Sequence, residues 1–98
     1  MAKEVIWTPR ALSSFDQVLN YLEEEWTEKE VSNFIELTGR IVKYISQNPK
    51  MFRKTNKNDV YEALVTPHNL LIYKVYPAKI YLVTFWDTRR NPKKKRFS

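Results

Sequence analysis

The sequence predicts an α+β fold of order β-α-α-β-β-β, with a helical hairpin packed on one face of a twisted antiparallel sheet. Two stretches in the first half place apolar residues three and four positions apart, as one face of an amphipathic helix requires. Three short β-prone runs in the second half are separated by turn signals so brief that consecutive strands must pair antiparallel. At 98 residues with 43% apolar and 14% aromatic content, the chain is expected to be one domain, residues 1–98, ending in a basic tail over 91–98.

The elements follow in order. Residues 3–7 (KEVIW) form a β-prone run, and Thr8-Pro9 supplies a helix N-cap with proline at the first helical position. Ala11, Leu12, Phe15, Val18, Leu19, Leu22 and Trp26 then make the apolar stripe of a first helix. Thr27 with Glu30 three residues on predicts a capping box for the second helix, with Trp26 stapled onto Val31. That helix presents Val31, Phe34, Ile35, Thr38, Ile41, Val42 and Ile45, flanked by Leu37 and Tyr44, and Asn48-Pro49 stops it. A basic loop with an apolar anchor follows (PKMFRKTNKN, 49–58), then the runs VYEALV (60–65), LLIYKVY (70–76) and IYLVTFW (80–86) as a β-meander. The uniformly apolar middle run suits a strand that is central or covered on both faces. The N-terminal strand is expected at an edge or beside the last strand.

Composition excludes several functions. Without cysteine there is no disulfide framework, thiolate nucleophile or sulfur-based zinc site. The N-terminus lacks the apolar run of a signal peptide and nothing approaches a membrane span, so a cytoplasmic, soluble protein is expected. Gly39, the sole glycine, falls inside the second helix, where close packing is its expected reason; P-loop and Rossmann sites are excluded. The net charge of +6 is unevenly divided: residues 1–48 carry five Lys/Arg against eight Asp/Glu, residues 49–98 twelve against three. A positive field confined to one half implies an anionic partner.

The only histidine, His68, lies in a turn with no metal or triad partner at a useful spacing. Glu23, Glu24, Glu25, Glu28 and Glu30 gather at the helical corner as a solvated face. What remains is an inventory of Lys50, Arg53, Lys54 and Lys57 in the loop, Tyr61, Tyr73, Lys74, Tyr76 and Tyr81 on the strands, and Arg89 and Arg90 beyond them. Such groups bind phosphates, stack on bases and stabilise phosphoryl transition states. Against that, half of the strand tyrosines are expected as core or rim packing, and Lys93, Lys94, Lys95 and Arg96 as a solvated terminus.

The strings VIWTPRALSSFDQVLNYLEEEW, FIELTGRIVKYISQNPKMF, HNLLIYKV and IYLVTFWDTRRNP, in this order and spacing, resemble the RelE/ParE superfamily, toxins of type II toxin-antitoxin systems. The resemblance covers nearly the whole chain. It implies a cognate antitoxin with an acidic, amphipathic C-terminal segment, no cofactor, and one of two targets. ParE-like members poison DNA gyrase without cleaving it; RelE-like members are endoribonucleases that cut mRNA in the ribosomal A site. In a RelE-like enzyme Arg53, Lys54 and Arg89 would be the catalytic candidates. For target or antitoxin binding the resemblance points to Lys50, Arg53, Lys54, Lys57, Tyr61, Arg89 and Arg90. Tyr61 stands where related sequences usually place an arginine, Glu62 beside it would repel a phosphate, and Phe97 cannot transfer a proton where active ribonucleases carry a Tyr or His. The long hairpin and the FWDTRRNP ending look more ParE-like, so gyrase inhibition is favoured over ribosome-dependent cleavage, with a non-toxic antitoxin-binding module as a third reading. The sequence leaves open whether Arg89 and Arg90 share a surface with the loop around Lys54.

Overall fold

The computed structural model describes residues 2–89. Arg90, the tail over 91–98 and Phe97 lie outside the described residues. The elements are β1 (Glu4–Trp7), α1 (Pro9–Glu25), α2 (Glu28–Gln47), β2 (Arg53–Lys54), β3 (Val60–Thr66), β4 (Asn69–Val75) and β5 (Lys79–Asp87). The five strands form one mixed sheet in the order β1-β5-β4-β3-β2. The three meander strands pair antiparallel, as expected, while β1 joins the edge parallel to β5, Glu4 opposite Lys79 and Trp7 opposite Leu82. β2 was expected as loop; two residues, opposite Glu62 and Tyr61, are too few to leave a period in the sequence.

Thr8 caps α1 as its sequence demands. Its oxygen accepts the Ala11 N–H at 3.1 Å while its hydroxyl donates to the Leu82 carbonyl at 2.7 Å, so one side chain starts the helix and fixes it to β5. Ser14 repeats the device six residues on, donating to the Ala11 carbonyl and accepting the Phe85 N–H at 2.9 Å. The capping box of α2 does not form. Thr27 makes no side-chain cap hydrogen bond, and the Glu30 N–H is taken by the Thr27 backbone carbonyl instead. Trp26 is 61% exposed rather than buried as a staple.

The core lies between the helices and one sheet face, where Ala11, Phe34 and Ile45 meet Tyr61, Ala63, Val65, Leu71, Tyr73, Val75, Ile80, Leu82 and Phe85. Its aromatic centre is Phe15 with Trp7, Phe34 and Phe85, ring centroids 5.3 to 5.7 Å away, a range in which edge and offset contacts add to burial. The other face carries a smaller cluster of Val60, Ile72 and Trp86 with Leu70 and Val83. β4 is both central and covered on both sides, which is why Leu71, Ile72 and Tyr73 reach zero exposure in succession. A bulge at Val83, between the pairs Ile72–Thr84 and Tyr73–Leu82, keeps Tyr81 on the face away from the helices and Phe85 on the helical face. Of the predicted stripes, Leu12 and Ile35 are about half exposed. Gly39 is not a packing glycine: a Cβ there meets nothing within 4 Å. No described helix is long and apolar enough to cross a membrane.

Candidate functional site

The basic loop is held from below. The buried Tyr73 hydroxyl donates to the Pro49 carbonyl at 2.6 Å, Phe52 meets the Tyr73 ring edge-on at 6.4 Å, and Tyr61 stacks on Tyr73 at 5.7 Å. Burial, reinforced by the neighbouring Tyr61, pushes the Tyr73 phenol well above its ordinary pKa, so it stays a donor. Phe52 is thus the apolar anchor foreseen in the sequence; Met51 is exposed. Tyr61 corrects an expectation. It points into the helical side of the sheet with 6% of its surface exposed, and offers a target nothing to bind.

Lys50, Arg53, Lys54 and Lys57 are all exposed, but two are already engaged. Arg53 Nε lies 3.6 Å from Glu62 Oε1 across the β2–β3 pair, which turns the carboxylate expected to repel phosphate into the loop arginine's own counter-ion. Lys54 Nζ donates to the carbonyls of Thr55 and Lys57, both at 3.1 Å, closing the 55–59 turn in which Asp59 takes a left-handed φ of 61°.

Arg89 sits in the turn after β5. Asp87 holds it three times: Oδ1 accepts its backbone N–H at 2.8 Å and its Nε at 3.0 Å, and Oδ2 accepts Nη2 at 2.8 Å. The guanidinium also stacks 5.9 Å from the Tyr21 ring centroid, and these partners, Asp87 first, raise its already high pKa. Thr88 ties the turn to the β3–β4 connection by donating from N to the His68 carbonyl and from Oγ1 to the Pro67 carbonyl, both at 3.0 Å.

These contacts answer the question of a shared surface for Arg89. Lys54 pairs with Tyr61, Tyr61 with Tyr73 and Tyr73 with Leu82, so the loop lies five residues along β5 from Asp87 and three strands across. At about 3.3 Å per residue and 4.8 Å per strand, loop and turn stand roughly 20 Å apart, at opposite ends of the sheet.

Arg89 instead borders a cleft of about 840 Å³ that the sequence did not reveal. Val18, Leu22, Phe34 and Phe85 line it as apolar floor; Tyr21, Trp26 and Leu37, each at least 37% exposed, form its lip; and Arg10 and Arg89 bring positive charge beside the carboxylates of Glu30 and Asp87. The available signal was slight: a tryptophan at the helix corner and a leucine beside the α2 stripe. Among the described residues no cluster of three metal-ligating side chains occurs, and His68 is an exposed turn residue.

Residues 5–92 match the family described as ParE toxin of type II toxin-antitoxin system, parDE. No curated protein sequence is significantly similar to the chain. Among solved structures, the chromosomal ParDE system from P. aeruginosa is similar over 88% of this chain and 96% of that one, with a TM-score of 0.75 at 13% identity. The YoeB dimer from Staphylococcus aureus aligns over 92% and 100%, TM-score 0.63, 13% identity. The YoeB-YefM complex from the same organism aligns over 88% and 97%, TM-score 0.59, 14% identity. At these identities the likeness is one of fold.

Proposed function

The chain belongs to the ParE toxin family of type II toxin-antitoxin systems, and from that premise we propose that it is a non-cleaving inhibitor of DNA gyrase, acting in the cytoplasm and neutralised by an antitoxin with an acidic amphipathic C-terminal segment. One observation carries the choice of target: the cations that RNA cleavage would need do not converge. Stabilising a phosphoryl transition state takes preorganised donors within hydrogen-bond reach of one phosphate, and moving the 2′-hydroxyl proton takes a titratable group beside them. Here Arg53 faces Glu62, Lys54 faces loop carbonyls, and Arg89 faces Asp87 at the far end of the sheet. His68, in the β3–β4 turn, stands at the Arg89 end, away from Arg53 and Lys54. A toxin that works by occupying gyrase requires no such convergence.

The antitoxin reading is supported by the cleft, whose exposed Trp26, Tyr21 and Leu37 suit the apolar face of an amphipathic helix; its Arg10 and Arg89 are matched in number by the carboxylates of Glu30 and Asp87, so the apolar lip carries the reading. Solved relatives in fold include the ParDE system and the YoeB-YefM complex. The test is a supercoiling assay with purified gyrase, relaxed plasmid and the intact chain, run beside a translating lysate. Lost supercoiling with trapped cleavage complexes and uncut mRNA is expected. Unimpaired supercoiling at stoichiometric excess, together with mRNA cut at codon boundaries, would replace this reading with the RelE-like one.

A further inference from the structure

The sheet end that carries the basic loop also carries the β4–β5 turn, and the two meet: the Val75 N–H donates to the Asp59 carbonyl at 2.9 Å. At this turn the rings of Tyr76 and Tyr81 pack edge to face at 5.3 Å. Lys74 Nζ lies 5.3 Å from the Tyr76 centroid, and Lys3 Nζ donates to the Tyr76 carbonyl at 3.0 Å. Lys74 and Tyr81 are cross-strand partners, so they share the face that bears no helix. Unlike Tyr61 and Tyr73, this pair reaches the surface: Tyr76 is 41% exposed, and both rings border a shallow depression with Pro77 and Lys79. Lys3, Lys74 and Lys79 thus stand beside two accessible tyrosines, against the carboxylate of Glu4, which pairs with Lys79, and the adjoining loop brings Lys57 and Asp59 to the same end of the sheet.

We propose that this patch binds single-stranded nucleic acid, with bases stacking on Tyr76 and Tyr81 and phosphates resting on the surrounding lysines. Flat rings spaced among ammonium groups match a ligand that alternates an aromatic plane with an anion, which is how strand-binding surfaces without sequence preference are built. An acidic peptide would use the lysines and leave the rings idle. The site is independent of Arg89 and of the cleft, and it holds whichever enzyme proves to be the toxin's target.

The test uses the full chain and fluorescein-labelled oligo(dT) and oligo(U) of about 15 nucleotides, followed by anisotropy as salt is raised. The tail's lysines bind any polyanion, so the tyrosines give the decisive readout. Tyr76→Ala and Tyr81→Ala are each expected to weaken binding about tenfold, while Tyr81→Phe, which keeps the ring, and Lys29→Gln, at the helical corner, bind like the parent. Lys74→Gln should lower the slope of log affinity against log salt by about 0.7. Oligo(dT) and oligo(U) should bind alike, because stacking reads the base rather than the sugar. Parental affinity in both Tyr→Ala variants, or polyglutamate of equal length binding more tightly than either oligonucleotide, would overturn the proposal.

Discussion

Arg53, its side chain 83% exposed, lies against Glu62, which is 8% exposed, in a cross-strand pair of Nε to Oε1 distance 3.6 Å. The partners are unequally placed, so their removal has unequal consequences. An exposed guanidinium loses little when freed, whereas a carboxylate taken out of water depends on the charges and donors that face it. Arg53→Ala should therefore lower stability by about 1 kcal/mol, and adding Glu62→Ala should return part of that loss. Urea midpoints of the two single variants and the double variant measure the coupling; strictly additive effects would show that the pair contributes nothing.

Gly39 is the simplest stabilising target. It lies within α2, and a Cβ there meets nothing within 4 Å. Glycine inside a helix costs about 0.5–1 kcal/mol relative to alanine, through the backbone freedom it surrenders on folding. Gly39→Ala should raise stability by about that amount without altering activity, as thermal unfolding would show.

The two helix caps look equivalent in sequence and differ in structure. Thr8 both accepts from Ala11 and donates to Leu82, while the Thr27 side chain makes no cap bond. Thr8→Ala should cost about 1–2 kcal/mol and Thr27→Ala less than about 0.5 kcal/mol, measured by urea denaturation. Equal losses would mean that the cap of α2 forms in solution after all.

The contrast shows where sequence reasoning stops. Periodicity placed both helices and all three meander strands, because a stripe of apolar residues leaves few ways to be buried. It could not decide that the Thr27 side chain would make no cap bond, since residue spacing permits a capping box without forming it. Nor could it sort the tyrosines: strand side chains alternate faces, so a one-residue register step separates buried Tyr61 and Tyr73 from exposed Tyr76 and half-buried Tyr81, and a bulge at Val83 adds such a step. The candidate site was legible as an inventory of cations but not as an arrangement. Asp87 stands two residues before Arg89 in the sequence, yet only the turn geometry makes it a clamp, and only the strand order puts Arg89 far from Lys54.

Tyr73 makes stability sensitive to alkali. Its folded pKa is raised by burial, so the neutral phenol is favoured in the fold, and its contribution is complete below the unfolded tyrosine's pKa of about 10. Above that, ionisation favours the unfolded chain, and stability should fall by up to about 1.4 kcal/mol per pH unit until the folded phenol itself titrates. Tyr73→Phe should cost about 1 kcal/mol at neutral pH through the lost bond to the Pro49 carbonyl, and should remove this part of the alkaline decline. Urea midpoints at several pH values above 9 compare the slopes; the same slope in both proteins would assign the decline to other groups.

Trp26 separates folding from recognition. It is 61% exposed at the lip of the cleft, so Trp26→Ala should change stability by no more than about 0.5 kcal/mol. If the cleft receives an antitoxin helix, the same indole becomes a desolvated anchor, and its loss should cost about 2–4 kcal/mol of binding, roughly a 30- to 1,000-fold weaker complex. Arg89→Gln, at the charged end of the cleft, should act differently, lowering the association rate and its salt dependence more than it raises the dissociation rate. Stopped-flow binding of a synthetic antitoxin C-terminal segment reads both, and Trp26 reports occupancy directly, since Trp86 is 7% exposed and Trp7 packs between Phe15 and Phe85. Acrylamide quenching that persists unchanged in the complex would place the antitoxin elsewhere on the toxin.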